Sequence, residues 1–537
     1  MSASTMQIKG PQINQFNNVM QDKVPRSAFR RDFSRRTTFD SGLLVPCFVD
    51  EILPGDEISL DMTALARLAT PIKPIMDNIY LESFFFFVPN RLVWDNWEKF
   101  QGAQDNPGDS VAYTIPVLNS SVAPMSTTGF LNQTRADYFG IATRVSGLTN
   151  ISALPFRAYD LIYNDWFRDE NLQGKIAVSK GDGPDNPASL SLLARRNKRK
   201  DYRTSALPWP QKGTAVSISL GGNAPVNRIP NAANPAILRA AGSNTQAPSG
   251  NTMVTGSNGQ IFLGSPTNLS YSIDPNGTLQ ADLSAATPIT INALRQAALY
   301  QQILELDARG GTRYVESIFS RFGVVSPDFR LQRPELIGQG STRLNVYAVP
   351  QTAPSQSGQT PQGNLAGFGT AQITGGHSAR YAATEHGMII GLLNVRADLT
   401  YQQAVPKLFT RRTRLDFYEP LLNGLGEQAV LRKEVVAQGT TADEEVFGYQ
   451  ERFAEYRYKD SEITGKFRSN DPTTLDVWHL SQQLASPTLD VGFIQENPPI
   501  QRVVAVTTEP QFLADMFFRY NHVRPMPMRS NPGIDKL

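Results

Sequence analysis

Strand-like segments stand at both ends of this chain, at 43–88 and again between 386 and 523, and that separation constrains the fold more than any other feature. Near the start, LLVPCFVDEILPGDEISLDM carries apolar runs broken by Pro54-Gly55-Asp56, and IYLESFFFFVP contains four consecutive phenylalanines, Phe84 to Phe87. Successive strand side chains point to opposite faces, so such a run needs cover on both. Far downstream, HGMIIGLLNVRADLTY (386–401), EQAVLRKEVV (427–436), QRVVAVTT (501–508) and QFLADMFFRYNHV (511–523) read as further strands. These must pair with the first group across hundreds of residues. The expectation is a mainly β protein, a long-range antiparallel sandwich or jelly roll with inserted helices and loops, rather than domains in series.

The intervening sequence supplies the insertions. In LPFRAYDLIYNDWFRDENL (154–172), Phe156, Tyr159, Tyr163, Trp166 and Phe167 recur at helical spacing, and Pro155 suits a first turn. INALRQAALYQQILELDARGG (291–311) is rich in helix formers, and TRYVESIFSRFG predicts a shorter helix stopped by Gly323. Between 214 and 289 only Arg228, Arg239, Asp274 and Asp282 are charged, and small polar residues dominate around short β-type runs. That stretch reads as an inserted β-rich lobe, with a disordered linker as the alternative. Residues 348–376, rich in Pro, Gln, Gly and Ser, read as a flexible loop.

No constellation for catalysis emerges. A single cysteine, Cys47, excludes a disulfide framework, and the four histidines (His377, His386, His479, His522) lack metal-ligand spacing. Gly465-Lys466 fails the phosphate-loop pattern on both sides, and no G-x-S-x-G elbow is present. GDGPDNP (181–187) has the turn chemistry of an ion loop but also that of an ordinary surface turn. No run of about 18 apolar residues predicts a membrane span. The rival reading is a carbohydrate-active β-sandwich enzyme using Trp94, Trp97 and Trp166 as a sugar platform with paired carboxylates.

Basic clusters are more informative. The net charge is only +2, so attraction to polyanions must be local. Arg26, Arg30, Arg31, Arg35 and Arg36 lie among Phe29, Phe33 and Phe39 in the polar stretch 1–42, which reads as a basic N-terminal arm lying on a partner. Arg195, Arg196, Lys198, Arg199, Lys200 and Arg203 crowd into nine positions before a Pro-Trp-Pro sequence, and Arg519, Arg524, Arg529 and Lys536 form a weaker tail set. Arginine grips phosphate bidentately and aromatic rings stack on unpaired bases, so these residues are candidates for sequence-tolerant single-strand DNA contact. Ion pairing with neighbouring subunits is the alternative.

SRRTTFDSGLLVPCFVDEILPGDEISLDM, FFFFVPNRLVWDNWEKF, YDLIYNDWFRDENL, TSALPWPQKG, DARGGTRYVESIFSRFGVVSPDFRLQRPELIGQG and EHGMIIGLLNVR together resemble the major capsid protein of the Microviridae, the small single-stranded DNA bacteriophages, in their gokushovirus branch. The resemblance implies an eight-stranded antiparallel jelly roll whose discontinuous core is 43–213 and 290–537. It implies sixty copies in a T=1 icosahedral shell, with fivefold, threefold and twofold contacts, around circular single-stranded DNA. It further implies that 214–289 forms a protrusion at the threefold axis used in host attachment to a bacterial surface receptor. Internal scaffolding and DNA pilot proteins are implied partners, and assembly in the host cytoplasm is implied, with no cofactor, metal, enzymatic activity or membrane insertion.

Overall fold

Ten strands join in one antiparallel sheet; of the stretches expected as strands, 427–431 pairs with 446–451 outside it and 501–508 forms none. In the computed structural model, which describes residues 25–214, 216, short strands between 226 and 281, 291–355, 361–422 and 424–529, the ten are β1 (Ser27–Arg30), β2 (Phe33–Phe39), β3 (Val45–Ile52), β4 (Glu57–Leu68), β5 (Ile79–Pro89), β6 (Glu335–Pro350), β7 (Leu365–Ile373), β8 (Ser378–Ala382), β9 (Gly387–Ala397) and β10 (Phe512–Arg524). Their order is β1-β10-β4-β7-β6-β5-β9-β3, with β2 also pairing β10 and β8 pairing β4. Strand β6 links the two halves: residues 335–344 pair with β5, and 345–350 pair with β7. This is the mainly β, jelly-roll-like architecture expected from strands at opposite chain ends.

The two halves enclose the main core. Phe48, Phe85, Phe87, Ile389 and Leu393 from one half meet Leu60, Met62, Met516 and Phe518 from the other. The phenylalanine run is thereby explained, because its alternate member Phe86 turns to the opposite face, where Ile390, Leu392, Trp94 and a helix, α1 (Leu154–Ile162), cover it. Burial on both faces also explains the unbroken apolar reading of β9. Gly391 is required there: a Cβ would stand 2.8 Å from that of Phe48 and 2.9 Å from the Phe85 ring. By contrast, β4 and β10 alternate buried and exposed residues and leave one face to solvent.

Several expectations need correction. Residues 27–39, read as part of an arm on a partner, are β1 and β2, both paired to β10 of the same chain. Residues 501–508 are not a strand; Ile500–Val503 form one helical turn behind Pro499, which pre-sets the backbone, and bury Val503 and Val504. The helix read over 154–172 is regular only to Ile162 and continues as a π-turn, Tyr163–Phe167. Two further helices, α2 (Ile291–Arg309) and α3 (Tyr314–Phe322), fall as expected, and Gly323 ends α3 in the left-handed conformation with φ 67°.

The chain divides into a unit of 1–210 with 307–537 and a second unit of 211–306, so the inserted unit also takes most of α2. Within the second unit, 226–228 pairs with 279–281, 238–240 with 271–273 and 253–255 with 261–263. The three antiparallel pairs are nested in sequence. The rest of 214–289 lies outside the described residues.

A charged lock fastens the N-terminal strands. Arg31 donates to Nδ1 of fully buried His522 at 3.1 Å and to Asp50, while Nε2 of His522 stands 2.8 Å from Asp56. Arginine cannot accept, so Nδ1 accepts and the proton sits on Nε2, which donates to Asp56 in a neutral imidazole. Arg524 and the Leu53 N–H complete the shell of Asp56, and the Tyr520 hydroxyl donates to Asp50 at 2.7 Å. Burial, opposed by the Asp56 hydrogen bond, holds His522 below its ordinary range. An unfolded chain therefore takes up a proton near pH 6.5 that the folded chain refuses, and this contribution to stability, complete above 6.5, is lost as pH falls toward the folded value. The difference in unfolding free energy between wild type and His522→Gln, measured by urea denaturation, is expected to narrow from pH 7.5 to 5.5, by up to about 1.4 kcal/mol per pH unit below 6.5. A gap that stays constant or widens would contradict it.

Candidate nucleic-acid interface

The open face of β4 and β10 gathers arginines that stand far apart in sequence. Because β4 and β10 turn every second residue outward, the register lays these residues in rows across neighbouring strands. One row runs Arg36, Asp515, Leu65, Gln372; the next runs Thr38, Leu513, Arg67, Thr370, Asn345; a third holds Arg30, Asn521, Ser59 and Arg380. Arg519 stands opposite Asp61, and Arg343 lies two residues before Asn345 on β6. Aromatic rings share the face: Phe517 is exposed opposite Thr63, and Phe368 pairs with Tyr347 while the Arg67 guanidinium lies 5.0 Å from its ring.

Charge on this face is only partly neutralised. Arg30 bonds Asp32 at 2.6 Å, and Arg36 meets Asp515 at 3.5 Å with its side chain 80% exposed. Arg67, Arg343, Arg380 and Arg519 are exposed and have no ion-pair partner among the described residues. Against these six cations the face carries Asp32, Glu57, Asp61 and Asp515. An exposed sheet with free guanidinium groups and accessible rings can hold a phosphodiester backbone and stack bases without reading sequence.

The basic residues singled out in the sequence divide sharply. Arg30 and Arg36 belong to the arginine face, whereas Arg31 and Arg524 serve the lock around His522, and Arg35 turns inward to the carbonyls of Cys47 and Tyr138. Arg26 is exposed and donates to the Gly55 carbonyl at 2.7 Å; Arg529 is exposed without an ion-pair partner among the described residues. The dense 195–203 cluster is largely structural. Arg195 donates to the Glu496 carbonyl at 3.2 Å, and Arg196 and Arg396 both grip the buried carboxylate of Glu82. Burial alone would raise Glu82, but those two arginines hold it below its ordinary range. Lys198 is buried with its Nζ on Gln482 and the Phe493 carbonyl, and burial pushes its ammonium down. Arg203, also buried, donates to the Glu434 carbonyl at 2.7 Å and meets Asp460 at 2.9 Å. Only Arg199 and Lys200 stay exposed, beside Asp398 and Asp169.

Sequence reading missed Arg67, Arg343 and Arg380. Each is a lone arginine in a strand, and the one available signal was its place on the polar phase of a period-2 pattern.

The features of the rival readings are used up in packing. Trp94 and Trp97 are buried in the cluster under α1 and Trp166 packs against it, so they form no open platform. In the 181–187 turn, Asp182 accepts from the Trp94 indole N–H at 2.7 Å and Asp185 is paired with Arg157. Glu385 is held by Arg91, and His386 packs on Trp97. Among the described residues no three metal-ligating side chains converge, and no helix is long and apolar enough to cross a membrane.

Comparison with known proteins agrees along nearly the whole chain. The sequence model of the family described as capsid protein (F protein) matches residues 17–534. Capsid protein VP1 of Bdellovibrio phage phiMH2K is 50% identical over 520 residues, covering 95% of this chain and 96% of that protein. The VP1 proteins of Chlamydia phage 1 and Spiroplasma virus 4 are 40% and 36% identical, each alignment covering 98% of both chains.

Proposed function

The chain belongs to the capsid protein (F protein) family, and from that premise we propose that sixty copies close into a T=1 icosahedral shell around circular single-stranded DNA, with the arginine face toward the genome. Its role is structural, as a component of the virion. The observation that carries the reading is the open face of β4 and β10, where four arginines without ion-pair partners share a surface with Phe368 and Phe517. A nearly neutral chain suits this role. Sixty strongly charged subunits would repel one another, whereas local cations attract DNA by counterion release.

In this reading residues 214–289 form the threefold protrusion that meets a bacterial surface receptor. Scaffolding and DNA pilot proteins act with the chain during assembly in the host cytoplasm. Of the candidates from the sequence, Arg26, Arg30, Arg36, Arg199, Lys200, Arg519 and Arg529 keep enough exposure to reach DNA.

Electron microscopy and nuclease digestion of material purified from host cells test the proposal. The expected result is a uniform sphere a few hundred ångström across, protecting circular single-stranded DNA. A chain that stays monomeric in the presence of the other phage products, or a shell holding duplex DNA, would refute it.

A further inference from the structure

A surface patch far from the arginine face in sequence is too apolar to remain open. Residues 408–425, together with 452–459, leave Phe409, Leu415, Phe417, Tyr418, Leu421 and Tyr456 exposed, Leu421 by 90% and Phe409 by 74%. They are held in place rather than loose: the Tyr418 ring lies 5.3 Å from that of Phe453 and 6.1 Å from that of Tyr456, the Arg411 guanidinium sits between Tyr456 (4.2 Å) and Phe417 (5.7 Å), and Arg452 donates to the Leu415 carbonyl at 3.0 Å. Asp416 spends its carboxylate on the N–H groups of Arg412 and Thr413. The side chains of Arg412 and Arg414 have no ion-pair partner among the described residues, so the patch is both apolar and positive.

We propose that this patch docks on a second copy of the chain, and that the receiving surface is the acidic corner formed by 95–115. The inference rests on the shell reading given above. Phenylalanine and tyrosine with arginine are enriched at the centres of protein–protein contacts, and here they accompany Leu421, the most exposed of the large apolar side chains among the described residues. Six such side chains, each about half exposed or more, offer on the order of 600 Å². That is most of the ~800 Å² one partner contributes to a stable interface. Charge is complementary: Asp95 and Glu98 are exposed with no ion-pair partner among the described residues, while Lys99 is taken up by Asp105 and Asp109 at 3.5 and 3.7 Å, and the same segment exposes Val111 and Ile115. Two different patches meeting head to tail is the arrangement that closes rings and shells.

The test uses the full-length chain produced in host cells with the other products of the same phage, scored by the fraction sedimenting as particles. Arg412→Glu with Arg414→Glu is expected to lower that fraction at least tenfold while circular dichroism and the thermal midpoint stay those of wild type. Adding Asp95→Arg and Glu98→Arg is expected to restore particles. Wild-type particle yield from both the charge reversal and Leu421→Asp overturns the inference, and a loss that the swap does not restore overturns the choice of receiving surface. Hydrogen exchange identifies the occupant. Slowing of 408–425 in particles with or without DNA is expected; slowing only in DNA-filled particles, or already in the free subunit, assigns the cover to DNA or to the chain itself and overturns it. A wild-type chain that never assembles refutes the shell reading instead.

Discussion

Replacing Arg157 with methionine is expected to destabilise the subunit by about 3–5 kcal/mol, because it strips a buried carboxylate of its counter-charge. Arg157 projects from α1 and is fully buried; its Nε and one Nη grip both oxygens of Asp185 at 2.6 and 2.8 Å, and the other Nη bonds the carbonyls of Val93 and Gly181. Methionine nearly preserves volume, so the loss comes chiefly from the buried Asp185 carboxylate and Val93 carbonyl left without a donor. Asp185 also stitches two loops through its backbone, bonding the Val117 carbonyl and the Asn119 N–H. The damage therefore spreads from the helix to the loops that cap it. Against a typical total of 5–15 kcal/mol the effect is large. Urea denaturation measures it, and the double variant Arg157→Met with Asp185→Leu should recover much of the loss, since removing both partners removes the orphaned charge. A single-variant loss below about 1 kcal/mol would mean that the carboxylate finds another partner.

Changing Arg67, Arg343, Arg380 and Arg519 together to glutamine is expected to flatten the salt dependence of single-strand DNA binding. Each phosphate contact contributes about 0.7 to the slope of log K against log salt on a single strand, so four contacts predict a reduction of about 3. Between 50 and 200 mM salt, that corresponds to a difference of roughly fiftyfold in how steeply affinity falls. Titration of an oligodeoxythymidine with the purified subunit at several salt concentrations measures the slope. None of the four has an ion-pair partner among the described residues, so the thermal midpoint should hardly move. An unchanged slope would place the DNA elsewhere. Arg196 and Arg203 behave oppositely. Their replacement exposes buried Glu82 and Asp460 to loss of pairing, so stability should fall whether or not DNA is present.

How far each part of the molecule was legible follows from the range of the interactions involved. Phe84 to Phe87 announced cover on two faces because strand alternation is local and admits one solution, and the pairing of chain ends followed from strands with nowhere nearer to pair. The stretch 27–39 was misread because Arg30 and Arg36, outward on edge strands, dominate the composition, while the inward Phe33 and Phe39 carry the pairing signal only once β10 is in place. Basic density misled most at 195–203. Nothing local shows that Glu82 lies 114 residues before Arg196 or that the Glu434 carbonyl lies 231 residues beyond Arg203. Conversely, Arg67, Arg343 and Arg380 drew no attention as lone residues, since only the register of β4, β6, β7 and β8 sets them on one face.

The nested strand pairs of the 211–306 unit have an evolutionary corollary. The outermost rung, 226–228 against 279–281, fixes the separation of the outgoing and returning chain, and each inner rung repeats that constraint. Residues added beyond the innermost pair at 253–255 and 261–263 lengthen a loop already closed at its base, for which each doubling of length costs only about 0.6 kcal/mol. Selection can therefore rewrite the tip in both length and sequence while the rungs hold, so lineages are expected to diverge fastest between residues 255 and 261 and slowest at the outermost rung.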